Sequence, residues 1–181
     1  VGGRTLVLGG ARSGKSAHAE GLVPAAEPVT YVATARRDPD DLEWAERIAS
    51  HVARRPDTWR TVEAGDADAL LRVLTGASPG ATVLVDDLAT WLTGVLDDAG
   101  AWDRDPAALD VVAGHCAALD DAVARCSARV VLVSAEVGLG VVPATRSGRL
   151  FRDELGSLNA RLAEICDEVV LLVAGLPLRL R

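Results

Sequence analysis

The chain has 181 residues with 26 acidic against 19 basic side chains, a formal charge of −7, and a hydrophobic fraction of 49% that is aliphatic, since aromatics make up 3% and methionine is absent. A pI near 4.9 argues against the broad basic face of a duplex nucleic-acid binder, and no apolar run is long enough to span a bilayer. The length suits one domain over residues 1–181, no signal peptide is evident, and Cys116, Cys126 and Cys166 form no C-x-x-C pair, so reduced, buried thiols and a cytoplasmic location are expected.

The first element is the apolar run Thr5-Leu6-Val7-Leu8, a strand leading directly into Gly9-Gly10-Ala11-Arg12-Ser13-Gly14-Lys15-Ser16. That octet is a complete G-x-x-x-x-G-K-[ST] phosphate loop, and a helix from Ala17 to Leu22 follows it. A polyphosphate needs many N–H donors, one mobile cation and a hydroxyl for magnesium, all within a short stretch. By this template Lys15 reaches the β- and γ-phosphates, Ser16 ligates Mg²⁺, and Gly9 and Gly14 allow backbone angles that a side chain would forbid.

A second strand, Val29 to Ala33, opens onto Thr34-Ala35-Arg36-Arg37 at the edge where open α/β sheets bind ligands. The two arginines read equally as ligand contacts and as solvated loop residues. A cap at Asp38-Pro39 then starts a helix in which Leu42, Ala45, Ile48, Ala49 and Val52 recur at helical spacing. His51 lies on its flank with Trp44 and Arg55. A neutral imidazole among arginines is a competent nucleophile toward phosphate, although spacing alone leaves His51 open to a packing or surface role. His18 and His115 have no such company and read as structural.

The third strand, Trp59 to Val62, ends at Glu63, which either accepts hydrogen bonds from a ribose or base or is simply exposed. A helix is predicted over Asp66 to Leu74. The run Thr82 to Val85 then delivers Asp86-Asp87, and a carboxylate at a strand end is what a phosphate loop requires to hold magnesium. Asp86 is assigned that part and Asp87 the cap of the following helix, Thr90 to Leu96; the other reading makes both of them caps. Pro106 to Arg125 forms the next helix.

Val130 to Ser134 is a strand, followed by the glycine-containing loop Ala135-Glu136-Val137-Gly138-Leu139-Gly140-Val141-Val142-Pro143, which lets backbone approach a ligand closely. In the helix Thr145 to Cys166, Arg146, Arg149 and Arg152 stand three residues apart, either on a solvated face or toward a ligand. Val169 to Ala174 is the last long strand. Gly175-Leu176-Pro177 then signals a turn and Leu178 to Arg181 a short return arm.

Continuous Val/Leu runs alternating with helices predict an α/β fold, a P-loop NTPase-like (RecA-like) and mostly parallel sheet flanked by helices, with a C-terminal edge hairpin. The residues alone leave open a plain small-molecule kinase and a nucleotide-gated binding module.

Several stretches together resemble the adenosylcobinamide kinase/adenosylcobinamide-phosphate guanylyltransferase family over essentially the whole chain. They are the octet Gly9 to Ser16, Tyr31-Val32-Ala33-Thr34, Arg47-Ile48 leading to His51 and Arg55-Pro56, Trp59-Arg60-Thr61-Val62-Glu63, Val85-Asp86 with Trp91, Glu136 to Pro143, and Phe151-Arg152-Asp153. The resemblance implies that adenosylcobinamide is phosphorylated by a nucleoside triphosphate, ATP or GTP, and that GTP then donates GMP to adenosylcobinamide phosphate. It makes His51 the guanylylated nucleophile. It also puts guanine nucleotide at the phosphate loop, at Thr34, Ala35 and Arg36, at Val52, Ala53, Arg54 and Arg55, and at Glu63 and Asp86, with Mg²⁺ at Ser16 and Asp86. A homotrimer is implied as well. The chain departs from the family pattern at Ala135, where asparagine is usual, at Ala144-Thr145, where Glu-Asn is usual, and at Ser50, where some relatives carry a second histidine.

Overall fold

A strand that is apolar at every position needs cover on both faces, and the described residues form a seven-stranded sheet of order β3-β2-β4-β5-β1-β6-β7. The computed structural model describes residues 2–24, 26–36 and 56–181. Its strands are β1 (Arg4–Gly9), β2 (Val29–Ala33), β3 (Trp59–Glu63), β4 (Thr82–Asp86), β5 (Arg129–Ala135), β6 (Glu168–Val173) and β7 (Leu176–Arg179). Among the described residues the helices are α1 (Lys15–Gly21), α2 (Ala67–Gly76), α3 (Leu88–Ala99), α4 (Pro106–Arg125) and α5 (Arg146–Ile165), with a 3₁₀ turn over Ala101–Asp103.

Alternation along the strands divides the core in two. Leu6, Leu8, Val83, Val85, Val130 and Leu132 pack against leucines and valines of α2 to α5, whereas Val7, Tyr31, Leu84, Val131 and Val133 meet Ala19 of α1 and Val23. Each fully buried leucine here, such as Leu92, Leu119 or Leu155, contributes about 2 kcal/mol by leaving water.

The helices begin where the sequence places its caps. Asp66, Asp87, Asp105 and Thr145 each accept a hydrogen bond from the third amide of the helix that follows. Such a bond satisfies one of the otherwise orphaned N–H groups and contributes about 1 kcal/mol. Asp87 therefore has the capping part expected of it.

Six of the strands run parallel, so their carboxyl ends share one edge. Gly9 lies beside Ala135, and Ala33 lies between Glu63 and Asp86. β5 intervenes between the phosphate-loop strand and the Asp86 strand.

The C-terminal hairpin is present but turns earlier than the sequence suggests. Ala174 and Gly175 both have positive φ, at 51° and 81°, and make a two-residue turn, so β7 starts at Leu176 and contains Pro177. An edge strand tolerates that proline because one side of its backbone has no partner to satisfy.

The cysteines are free and buried as expected. Burial pushes the Cys116 thiol up to about 11 and the Cys166 thiol up to about 12, which keeps both inert as nucleophiles near neutral pH.

Candidate active site

The phosphate loop closes over the end of β1. Gly9 is there because Ser13 folds back onto it: a Cβ at Gly9 would come within 2.3 Å of Ser13 Oγ. Gly14 holds φ at 87° as the residue before α1, and Arg12 also adopts the left-handed region at 55°. Ser13 N–H donates to the Gly10 carbonyl at 3.3 Å, and the Ser13 carbonyl accepts from Gly175 N–H at 3.1 Å, so the β6–β7 turn braces the loop from the neighbouring strand pair. Lys15 Nζ reaches back to the Gly10 carbonyl at 3.4 Å, a long contact that a stronger anionic acceptor would displace.

Ser16 Oγ donates to Asp86 Oδ1 at 3.1 Å, which joins the loop to the end of β4. The same carboxylate accepts from Tyr31 Oη at 2.5 Å on its other oxygen. Tyr31 is buried and stacks on Trp59 with ring centroids 6.3 Å apart. The sequence pointed to Ser16 and Asp86 but gave Tyr31 no part in the site. Its signal was available, since the chain's single tyrosine stands two residues before the end of a strand destined to pair with the Asp86 strand.

A hydroxyl and a carboxylate at this spacing fit Mg²⁺, which takes one or two protein oxygens and completes its octahedron with water and phosphate oxygens. Among the described residues there is no cluster of three or more His, Cys, Asp or Glu able to hold a metal by itself.

The flanking candidates divide. Thr34 is buried; its hydroxyl donates to the Asp87 carbonyl at 2.7 Å and accepts from Asp87 N–H at 3.0 Å, so it fixes the turn that carries Asp86. Arg36 turns toward α3, pairs with the Asp98 carboxylate and donates to the Gly65 carbonyl at 2.7 Å. The hydrogen bond to Asp98 raises the Arg36 pKa and lowers that of Asp98. Glu63 is exposed at the edge beside Ala33. His51, Arg37, Val52, Ala53, Arg54 and Arg55, with the helix expected over 39–55, lie outside the described residues.

The loop after β5 abuts the phosphate loop, because Glu136 N–H donates to the Gly9 carbonyl at 3.1 Å. Asn159 of α5 holds the base of this loop, donating to the Ala135 carbonyl at 3.0 Å and accepting from Ser134 Oγ at 2.6 Å. Arg149 closes the other end through the carbonyls of Pro143 and Ala144 at 2.9 and 2.8 Å. Arg149 is thus a loop clasp and not part of a solvated face. Arg152 is half-buried, and its Nη1 is buried with no hydrogen-bond partner among the described residues.

This edge, with its phosphate loop, Ser16–Asp86 pair and second glycine-rich loop, occurs in a chain whose residues 5–180 match the family described as cobinamide kinase / cobinamide phosphate guanyltransferase, CobU. The chain belongs to that family. It is 45% identical to the bifunctional adenosylcobalamin biosynthesis protein CobP of Pseudomonas aeruginosa, over 98% of this chain and 97% of that protein. It is 41% and 40% identical to the bifunctional adenosylcobalamin biosynthesis proteins CobU of Escherichia coli and Salmonella typhimurium, in each case over 97% of this chain and 98% of the relative.

Membership in the CobU family gives the departures from its pattern a physical reading. At Thr145, where the resemblance led to an expectation of asparagine, the hydroxyl caps α5 by accepting from Gly148 N–H at 3.1 Å, a duty asparagine performs equally well. Ala135 gives up a side chain at the strand end, while its carbonyl keeps the bond to Asn159.

Proposed function

We propose that this CobU-family enzyme phosphorylates the aminopropanol hydroxyl of adenosylcobinamide with ATP or GTP, and then transfers GMP from GTP to the resulting phosphate through a guanylylated His51. The observation that carries the reading is the Ser16–Asp86 pair, 3.1 Å apart across the mouth of a complete phosphate loop, in a chain matched to the family over residues 5–180. In the kinase half the hydroxyl oxygen attacks the γ-phosphorus and the nucleoside diphosphate leaves. In the transferase half an imidazole nitrogen of His51 attacks the α-phosphorus, pyrophosphate departs, and a phosphoramidate remains on the protein. An oxygen of the acceptor phosphate then displaces the imidazole, giving adenosylcobinamide-GDP.

The chain's own groups divide this work. Backbone amides from Gly9 to Ser16 cradle the phosphates and Lys15 neutralises the β- and γ-charges. Ser16 and Asp86 would hold Mg²⁺, which when bound supplies charge stabilisation on the phosphates. Tyr31 and Thr34 keep Asp86 in place. Thr34, Ala35, Arg36, Val52 to Arg55 and Glu63 are assigned to the guanine nucleotide on the family resemblance.

The active assembly is assigned as a homotrimer of single catalytic domains. An exposed apolar row supports an assembly: Val173, Leu176, Leu178 and Leu180 are 57%, 72%, 54% and 55% exposed at the open end of the sheet. An open cavity of about 280 Å³ lies alongside it, lined in part by Leu8, Gly156, Ala163 and Leu180. Buried reduced thiols and a nucleoside triphosphate co-substrate suit the cytoplasm.

Incubation with α-labelled GTP tests the covalent course. Label that survives denaturation, is released by acid and is lost in His51→Ala is the expected result. A wild-type protein that acquires no label while turning substrate over refutes it.

A further inference from the structure

We infer that the tip of the loop between β5 and α5, Leu139 with Val141 and Val142, is the seat on which the acceptor's macrocycle lies during both reactions. This rests on the proposed function for the identity of the acceptor. The tip residues are 81%, 94% and 63% exposed, an apolar group left in water at the ligand-binding edge of the sheet.

Such exposure is ordinary in a slack loop, but this loop is held at both ends. Asn159 grips the Ala135 carbonyl, Glu136 N–H is bonded to Gly9, and Glu136 Oε1 accepts from Gly138 N–H at 2.6 Å. At the far end Arg149 clasps the carbonyls of Pro143 and Ala144, and Thr145 caps α5. The base of the tip is therefore anchored, and the tip is presented to solvent beside the phosphate loop.

The chemistry of the stretch selects the occupant. From Val137 to Pro143 there is no charged or hydrogen-bonding side chain, so the tip brings a polyphosphate neither a cation nor a side-chain donor. Gly138 and Gly140 alternate with the large residues, leaving aliphatic side chains separated by bare backbone. A surface of that kind suits a broad, largely uncharged ring face. The donor nucleotide is accounted for on the Gly9 side of the Glu136–Gly9 bond, and the acceptor must come within bonding distance of it. A corrin ring laid on the tip brings its phosphate-bearing side arm toward the loop that holds the donor.

The test is steady-state kinetics of the kinase half with ATP, using the full chain and adenosylcobinamide as the varied substrate. Val141 is 94% exposed, so Val141→Asp leaves the fold intact. Replacing one covered aliphatic side chain by a carboxylate should raise the KM for adenosylcobinamide about tenfold or more. The KM for ATP and the labelling of the protein by α-labelled GTP should stay at wild-type values, and Val141→Leu should restore the acceptor KM. An unchanged acceptor KM in Val141→Asp overturns the inference. So does a rise accompanied by a changed sedimentation coefficient, which would make the tip a contact between copies. Because the kinase assay needs no covalent intermediate, failure of the His51 labelling experiment is read separately from failure here.

Discussion

Two loops leave the carboxyl edge of the sheet side by side, from strands paired in register at Gly9 and Ala135, and both are rich in glycine. The loop over residues 9–16 curls inward. Its glycines clear space for Ser13 and free the backbone, and to its amides it adds the Lys15 ammonium and the Ser16 hydroxyl, with Arg12 and Ser13 between the glycines. The loop over residues 136–143 is fastened at its ends and projects, and its glycines separate aliphatic side chains of which Leu139, Val141 and Val142 are exposed. The same residue type serves opposite ends. Glycine-rich sequence at a strand end says that backbone comes close to something, and only the neighbouring residues say whether that is a polyanion or an apolar face.

Substitutions on the two sides should separate these duties. The largest effect is expected from Lys15→Ala, which removes the ammonium assigned to the β- and γ-phosphates: kcat/KM for the nucleotide should fall about 100- to 1,000-fold, with the circular dichroism spectrum and Tm unchanged. Equal turnover by this variant would remove the basis for assigning the loop. A smaller loss is expected from Asn159→Ala at the base of the second loop, where Ser134 Oγ would be left buried without its acceptor. Urea denaturation should report a destabilisation of about 1–3 kcal/mol, and the acceptor KM should rise while the nucleotide KM does not.

The smallest effect belongs to Asp98→Asn, outside both loops. The hydrogen bond from Arg36 lowers the folded pKa of Asp98 below its ordinary 3.8, so the stabilisation is present above that value and is lost as pH falls through the folded pKa. Wild type should exceed the variant in Tm by a few degrees at most at neutral pH, because the pair is exposed. The difference should vanish in strong acid, and a difference that persisted there would mean the carboxylate is not its source.

Much of this was legible in the sequence, and the reasons are local. β1, β2, β4 and β5 are continuous apolar runs, α4 begins at a proline behind an aspartate, and Thr145 marks the start of α5 three residues before the amide it caps. Ser16 and Asp86 were found because a known loop demands both types of group. What escaped depends on partners far apart in the chain. Tyr31 meets Asp86 only through the register of β2 on β4, fixed by pairing across 55 residues. Arg36, read as a cation at a ligand edge, finds its carboxylate 62 residues later on α3. The clasp of Arg149 on Pro143 is local, but it was hidden because three arginines at helical spacing look like one solvated stripe.

The bond between Gly175 N–H and the Ser13 carbonyl carries a consequence for how this fold can vary among its relatives. Hairpin turns at the edge of a sheet are ordinarily where insertions accumulate, since nothing else relies on their length. Here the amide of the turn props the catalytic loop from behind, with only 3.7 Å between Gly175 Cα and a Cβ placed at Gly14. Added residues would withdraw that prop or drive the turn into the loop. This two-residue turn should therefore be among the connections most resistant to change in length, and an aligned set of functional relatives should keep it at two residues even where longer surface loops drift.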